Sequence, residues 1–83
     1  MQDLGLYSVE DLYVRLLPAL KSKQRELNVD HLNLSIEEIW KYFYKNVWST
    51  KSDLTLDVMV QDILGTSNII IYRGVKSGNN RGK

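Results

Sequence analysis

The sequence contains no cysteine and only one histidine, His31. The first absence excludes disulfides, thiolate metal sites and cysteine nucleophiles. The second excludes a histidine-rich metal centre and leaves little from which to build a Ser-His-Asp arrangement. His31 itself sits in a polar stretch beside Asp30 and reads as a solvated side chain. No phosphate-cradling glycine loop is present, since Gly74 and Gly78 fall in the polar C-terminal stretch. No run approaches the roughly 18 apolar residues of a membrane span. The opening Met1-Gln2-Asp3-Leu4-Gly5 lacks the basic start and apolar stretch of a signal peptide. These absences together point to a cytoplasmic, bacterial-style protein that is not an enzyme and needs no cofactor or metal, so that function rests on a binding surface.

Acidic residues are also unevenly spread, and none follows Asp62. Residues 1–40 carry four basic and seven acidic side chains, net −3, whereas residues 41–83 carry seven and three, net +4. Arg73, Lys76, Arg81 and Lys83 crowd a Gly/Asn/Ser-rich end. Such an end either touches phosphate or an acidic partner, or simply solubilises. With 83 residues, 43% hydrophobic and 25% charged, the chain has the composition of one folded domain. A core this small contributes only a few kcal/mol of net stability. Good helix packing, or a partner covering apolar surface, must supply the rest.

Three amphipathic segments are legible. Ser8-Val9-Glu10-Asp11 reads as a capping box, and Val9, Leu12, Tyr13, Leu16, Leu17 and Leu20 follow at helical spacing. Pro18 falls opposite that stripe, on the solvent side, which predicts one helix kinked at Pro18 over about residues 8–26. Lys23 falls on the apolar side, so the last turn is expected to fray or leave the core, with Leu27 as a final anchor. A second capping box, Ser35-Ile36-Glu37-Glu38, opens a helix over about 36–48 with Ile36, Ile39, Trp40, Phe43 and Val47 inward. After a loop at residues 49–53, Thr55 caps a third helix over about 55–64. Its buried face is Leu56, Met59, Val60, Ile63 and Leu64, and Gly65 stands where a left-handed end residue is wanted. The fold class is therefore all-α, a compact three-helix domain over 1–73. The Ile69-Ile70-Ile71 run favours extended backbone and is read first as an arm laid across the helices, with a strand added to a partner's sheet or a fourth helical turn as alternatives, followed by a disordered basic tail over 74–83.

Two surfaces stand out. On the second helix, Lys41 and Lys45 lie one turn apart on the outward side, with Tyr44 and Trp48 on one shoulder and Tyr42 on the other. Rings beside lysines stack splayed bases while the ammonium groups meet phosphate, with Arg73 and Lys76 assisting. The plainer alternative is that Tyr44 and Trp48 border the core and the lysines only solubilise. The second surface is an apolar patch of Ile69, Ile70, Ile71 and Tyr72, suited to a protein partner or a second copy in a homodimer. The carboxylate pairs Glu10/Asp11 and Glu37/Glu38 sit at helix starts, where dipole and capping explain them. Arg15, Lys21, Lys23 and Arg25 form a diffuse basic cluster on the first helix.

The order Leu12-Tyr13, Leu16, Leu20, Ser22-Lys23, Glu26-Leu27, then Ile39-Trp40-Lys41-Tyr42 and Trp48, then Leu56-Asp57-Val58-Met59-Val60-Gln61-Asp62-Ile63-Leu64, resembles the small Firmicute proteins of the ComN-type post-transcriptional regulator family. The resemblance covers about residues 8–67 and rests most on the Ile-Trp-Lys block and the third helix. It implies regulation of gene expression at the level of messenger RNA, with RNA, a protein, or both as partners. It brings no catalytic motif and no base-reading residues that map onto this sequence.

Overall fold

The computed structural model describes residues 8–51 and 54–80, with side chains described as far as Ser77. Four α-helices and no strand are found among the described residues: α1 (Val9–Val29), α2 (Ile36–Tyr42), α3 (Leu56–Gly65) and α4 (Asn68–Asn80). The all-α class predicted from periodicity is what forms. Arg81 and Lys83 of the expected tail, and Ser52 and Asp53 of the loop before α3, lie outside the described residues.

Local signals set where the first three helices begin. Ser8 Oγ accepts from the Asp11 backbone N–H at 3.0 Å. Ser35 Oγ accepts from Glu38 N–H at 3.1 Å while the Glu38 carboxylate accepts from Ser35 N–H at 2.8 Å, a complete capping box. Thr55 Oγ1 accepts from Val58 N–H at 3.2 Å. Each bond satisfies a backbone donor that the first helical turn leaves unpaired. α1 is one helix through Pro18, whose ring lies on the exposed side.

The core gathers Leu12, Leu16, Leu20 and Leu27 of α1, Ile39, Trp40 and Phe43 of α2 and its extension, Met59 and Ile63 of α3, and Ile71 and Val75 of α4. Two expected core residues are outside it: Val9 is 47% exposed and Leu64 is 46% exposed. Both stand in the end turn of a helix, beyond the reach of the neighbours that cover the middle of each stripe.

α1 does not fray at Lys23 but runs to Val29. Its end is a Schellman turn: Leu32 N–H donates to Leu27 O at 2.8 Å and His31 N–H to Asn28 O at 3.0 Å, with His31 at φ 62°. The Lys23 side chain, 2% exposed, goes inward. Its ammonium donates to Glu26 Oε1 (2.9 Å), Thr66 O (3.0 Å) and Asn68 Oδ1 (3.0 Å), with Leu64 O at 3.4 Å. A cation on the carbonyls that end α3 satisfies acceptors the helix leaves free and complements its dipole. Asn68 passes the link on, its Nδ2 donating to Asp30 Oδ2 at 2.8 Å. Gly65 is correspondingly not left-handed; Thr66 N–H and Oγ1 both donate to Asp62 O instead.

The extended arm is a correction. Ile69–Tyr72 belong to α4, which continues through Gly74 to Asn80, into the stretch expected to be a disordered tail. An isolated extended segment would leave its backbone N–H and C=O groups unpaired, and no strand is available to it among the described residues. The helix pairs them internally and buries Ile71 (0% exposed) and Val75 (7%) one turn apart. Those gains exceed the helix-propensity cost of a β-branched run, a few tenths of a kcal/mol per residue.

α2 also departs from expectation, ending as an α-helix at Tyr42 rather than near residue 48. Phe43–Val47 form a π-helical turn, in which Trp48 N–H donates to Phe43 O, and Trp48–Thr50 a 3-10 turn. A π turn inserts one extra residue into the register. The residue below Phe43 on the inward face is therefore Trp48, not Val47. Trp48 is 4% exposed while Val47 is only half-buried.

Candidate functional site

Lys41 and Lys45 are both exposed, four residues apart on the α2 segment. They border a groove of about 410 Å³ between α2 and α4, lined also by Glu38, Tyr42, Asn46, Gly74 and Val75. The groove is narrow at its base because α4 approaches Tyr42 closely. A Cβ built on Gly74 would stand 2.2 Å from Tyr42 Cε1 and 2.6 Å from Cδ1. Only glycine permits that approach. Tyr42 is in turn held edge-on against Phe43, ring centroids 5.2 Å apart at 79°.

The charge around the groove is mainly positive. Neither lysine takes part in the ion pairs Lys23–Glu26 and Lys51–Asp62. Glu38 lines the same groove and contributes one negative charge, its Oε1 accepting from the Ser35 N–H. Arg73 and Lys76 are exposed on α4 beside Gly74 and Val75, and the Lys76 ammonium stands 5.5 Å from the Tyr72 ring centroid. Such a cation–π contact holds the amine against the helix while leaving it hydrated.

The rings expected to join the lysines do not. Tyr44 is 42% exposed, yet its ring stacks on Trp40, centroids 5.4 Å apart at 25°. Trp48 stacks on Phe43 at 5.3 Å, and its indole Nε1–H donates to Asp62 Oδ2 at 2.9 Å. The same carboxylate oxygen accepts from Lys51 Nζ at 3.1 Å. Tyr44 and Trp48 line a different cavity, about 320 Å³ and largely apolar, with Leu12, Ser49, Leu54 and Met59. The ring that borders the lysine groove is Tyr42. The π turn is the cause: without it Trp48 would sit one turn below Tyr44 on the shoulder.

The apolar patch is divided as well. Ile71 is buried and Tyr72 half-buried, while Ile69 and Ile70 are 45% and 53% exposed. In the basic cluster of α1, Lys21, Arg15 and Arg25 are exposed and Lys23 is buried. Tyr42 and Gly74 were readable only as a shoulder ring and a tail glycine. The signal that could have joined them is the Ile71/Val75 spacing, which makes the C-terminal stretch a helix and puts Gly74 on its packed side.

Among the described residues no group of three or more His, Asp or Glu is placed to hold a metal ion, and no helix is long and apolar enough to cross a membrane. What the surface offers is cationic hydrogen-bond donors around an open groove. Residues 9–72 match the family model described as post-transcriptional regulator. The matched span contains Lys41, Tyr42, Tyr44, Lys45 and Trp48 and stops one residue before Arg73. No curated protein and no solved structure matches the chain.

Proposed function

The chain belongs to the post-transcriptional regulator family, and on that premise we propose that it is a cytoplasmic, non-catalytic bacterial regulator of the ComN type that acts by binding RNA along the Lys41–Lys45 edge. The observation that carries this reading is the pair of exposed lysines one turn apart on an open groove. Two ammonium groups about one turn apart on the same side suit successive phosphates of one strand. Arg73 and Lys76 extend the same charge along α4. Tyr42 and Asn46 supply polar groups to the same groove, and Trp48 drops out as a stacking platform because its ring is spent in the core.

Filter binding of single-stranded RNA across a salt series tests this. Two phosphate contacts give a slope of log affinity against log salt near −1.4, and four give about −2.8. Lys41→Glu combined with Lys45→Glu should abolish retention. Absence of retention at low salt, or retention that ignores salt, overturns the reading.

A second reading is favoured by one observation, the exposure of Ile69 and Ile70 side by side at the start of α4. Here the protein is an adaptor whose apolar patch meets a protein partner, and the messenger is reached through that partner. A pull-down that Ile70→Asp abolishes, beside RNA retention that is nil, would select it.

A further inference from the structure

We propose that the outward stripe of α4 is an association surface for a second copy of this chain, and that it receives the outward stripe of α1. This goes beyond the RNA reading and does not need it. α4 is anchored along Ile71 and Val75, both buried. At about 100° per residue, Ile69 and Arg73 share a stripe about 200° from Ile71, with Ile70 beside it. That stripe is apolar at the start of the helix and cationic one turn later, and Arg73 takes no part in the ion pairs Lys23–Glu26 and Lys51–Asp62.

α1 carries the complementary pattern. Its core side is Leu12, Leu16 and Leu20. On the opposite side Val14 is 61% exposed, and Glu10, one turn earlier, is exposed too. Laid antiparallel, the two helices match: Ile69 meets Val14 and Arg73 meets Glu10, because each pair is separated by four residues, about 6 Å. Val14 and Ile69 lose water together, and an ion pair at the rim fixes the direction. Both stripes face outward in one molecule, so the match requires a second molecule. Two helix faces cover less than the roughly 800 Å² per partner of a stable interface, so the association is weak and concentration-dependent. Charge complementarity, more than area, selects the occupant. Arg73 serves both this surface and the RNA reading, so RNA and a second copy compete for it.

Sedimentation equilibrium of the full, nuclease-treated chain at low salt is the test. The weight-average mass should climb above the 9.6 kDa monomer as concentration rises, and fall back when salt is added. Glu10→Arg and Arg73→Glu should each weaken association about tenfold or more, and the two together should restore it. Ile69→Asp should abolish it with helicity by circular dichroism unchanged. A wild type that stays monomeric at every concentration overturns the proposal, as does a double charge reversal that fails to restore what the single reversals removed. RNA is absent throughout, so these outcomes leave the RNA reading standing or falling on its own assay.

Discussion

Lys23→Met removes the ammonium at the centre of the α1–α3–α4 junction while keeping an unbranched stem of similar length. Three acceptors at 2.9–3.0 Å lose their donor: Glu26 Oε1, Thr66 O and Asn68 Oδ1. They do not lose equally. The Glu26 side chain is 57% exposed and rehydrates, so its share is small, as for other solvated ion pairs. The Thr66 and Asn68 acceptors lie in partly buried surroundings, and an unsatisfied buried acceptor costs about 1–3 kcal/mol. Water reaches a partly buried site, which favours the lower part of that range for each. Relief of the ammonium's own desolvation works in the opposite direction, yet it is offset in the native protein by three short charge-assisted bonds. The sum is a loss of about 2–3 kcal/mol. For a domain of this size that lowers the melting temperature by about 10–20 °C. Thermal and urea unfolding followed at 222 nm measure it. Glu26→Gln should cost less than about 1 kcal/mol. A cycle of Lys23→Met with Asn68→Ala should show coupling of about 1 kcal/mol, since the two side chains share a bond. A Lys23→Met protein as stable as the parent would refute the reasoning, because burying the ammonium would then cost as much as its bonds return.

Gly74→Ala should destabilise by about 1–3 kcal/mol, because its new methyl would press on the Tyr42 ring; in a Tyr42→Ala background the same change should become stabilising by up to about 1 kcal/mol, the ordinary helix preference for Ala, and paired melts show whether the sign reverses. Gly65→Ala should stabilise by about 0.5–1 kcal/mol, since nothing lies within 4 Å of the added Cβ and the backbone is not left-handed; a lowered urea midpoint would contradict this. His31→Gly should also stabilise, by about 1 kcal/mol, because φ 62° is a conformation that a side chain disfavours; an unchanged or lowered melting temperature would count against it.

The candidate site was legible in part. Lys41 and Lys45 could be placed on the outward side from spacing alone, because residues four apart stay close to one side whether the turn between them is α-helical or π-helical. The ring beside them could not be chosen correctly, because that depended on whether the helix stays α-helical past Phe43. A single inserted residue moved Trp48 from the shoulder to the core and left Tyr42 as the groove's aromatic wall. The opposite wall, Gly74 and Val75, required knowing that a run rich in isoleucine coils rather than extends.

Sequence by itself determined the starts of α1, α2 and α3, since a cap joins a side chain to a backbone N–H only three residues on, and the stripe that follows repeats every turn. Those interactions are local and need no knowledge of the rest of the chain. Only the tertiary structure decided the fate of Lys23, of the isoleucine run and of Trp48. Lys23 bonds to groups 41, 43 and 45 residues away, and Trp48 to a carboxylate 14 residues away. An ammonium on an apolar stripe reads as a defect until those carbonyls come to meet it. Three isoleucines favour an extended arm over a helical turn until α2 offers a surface that rewards burying one of them, with Val75, on a single helical side.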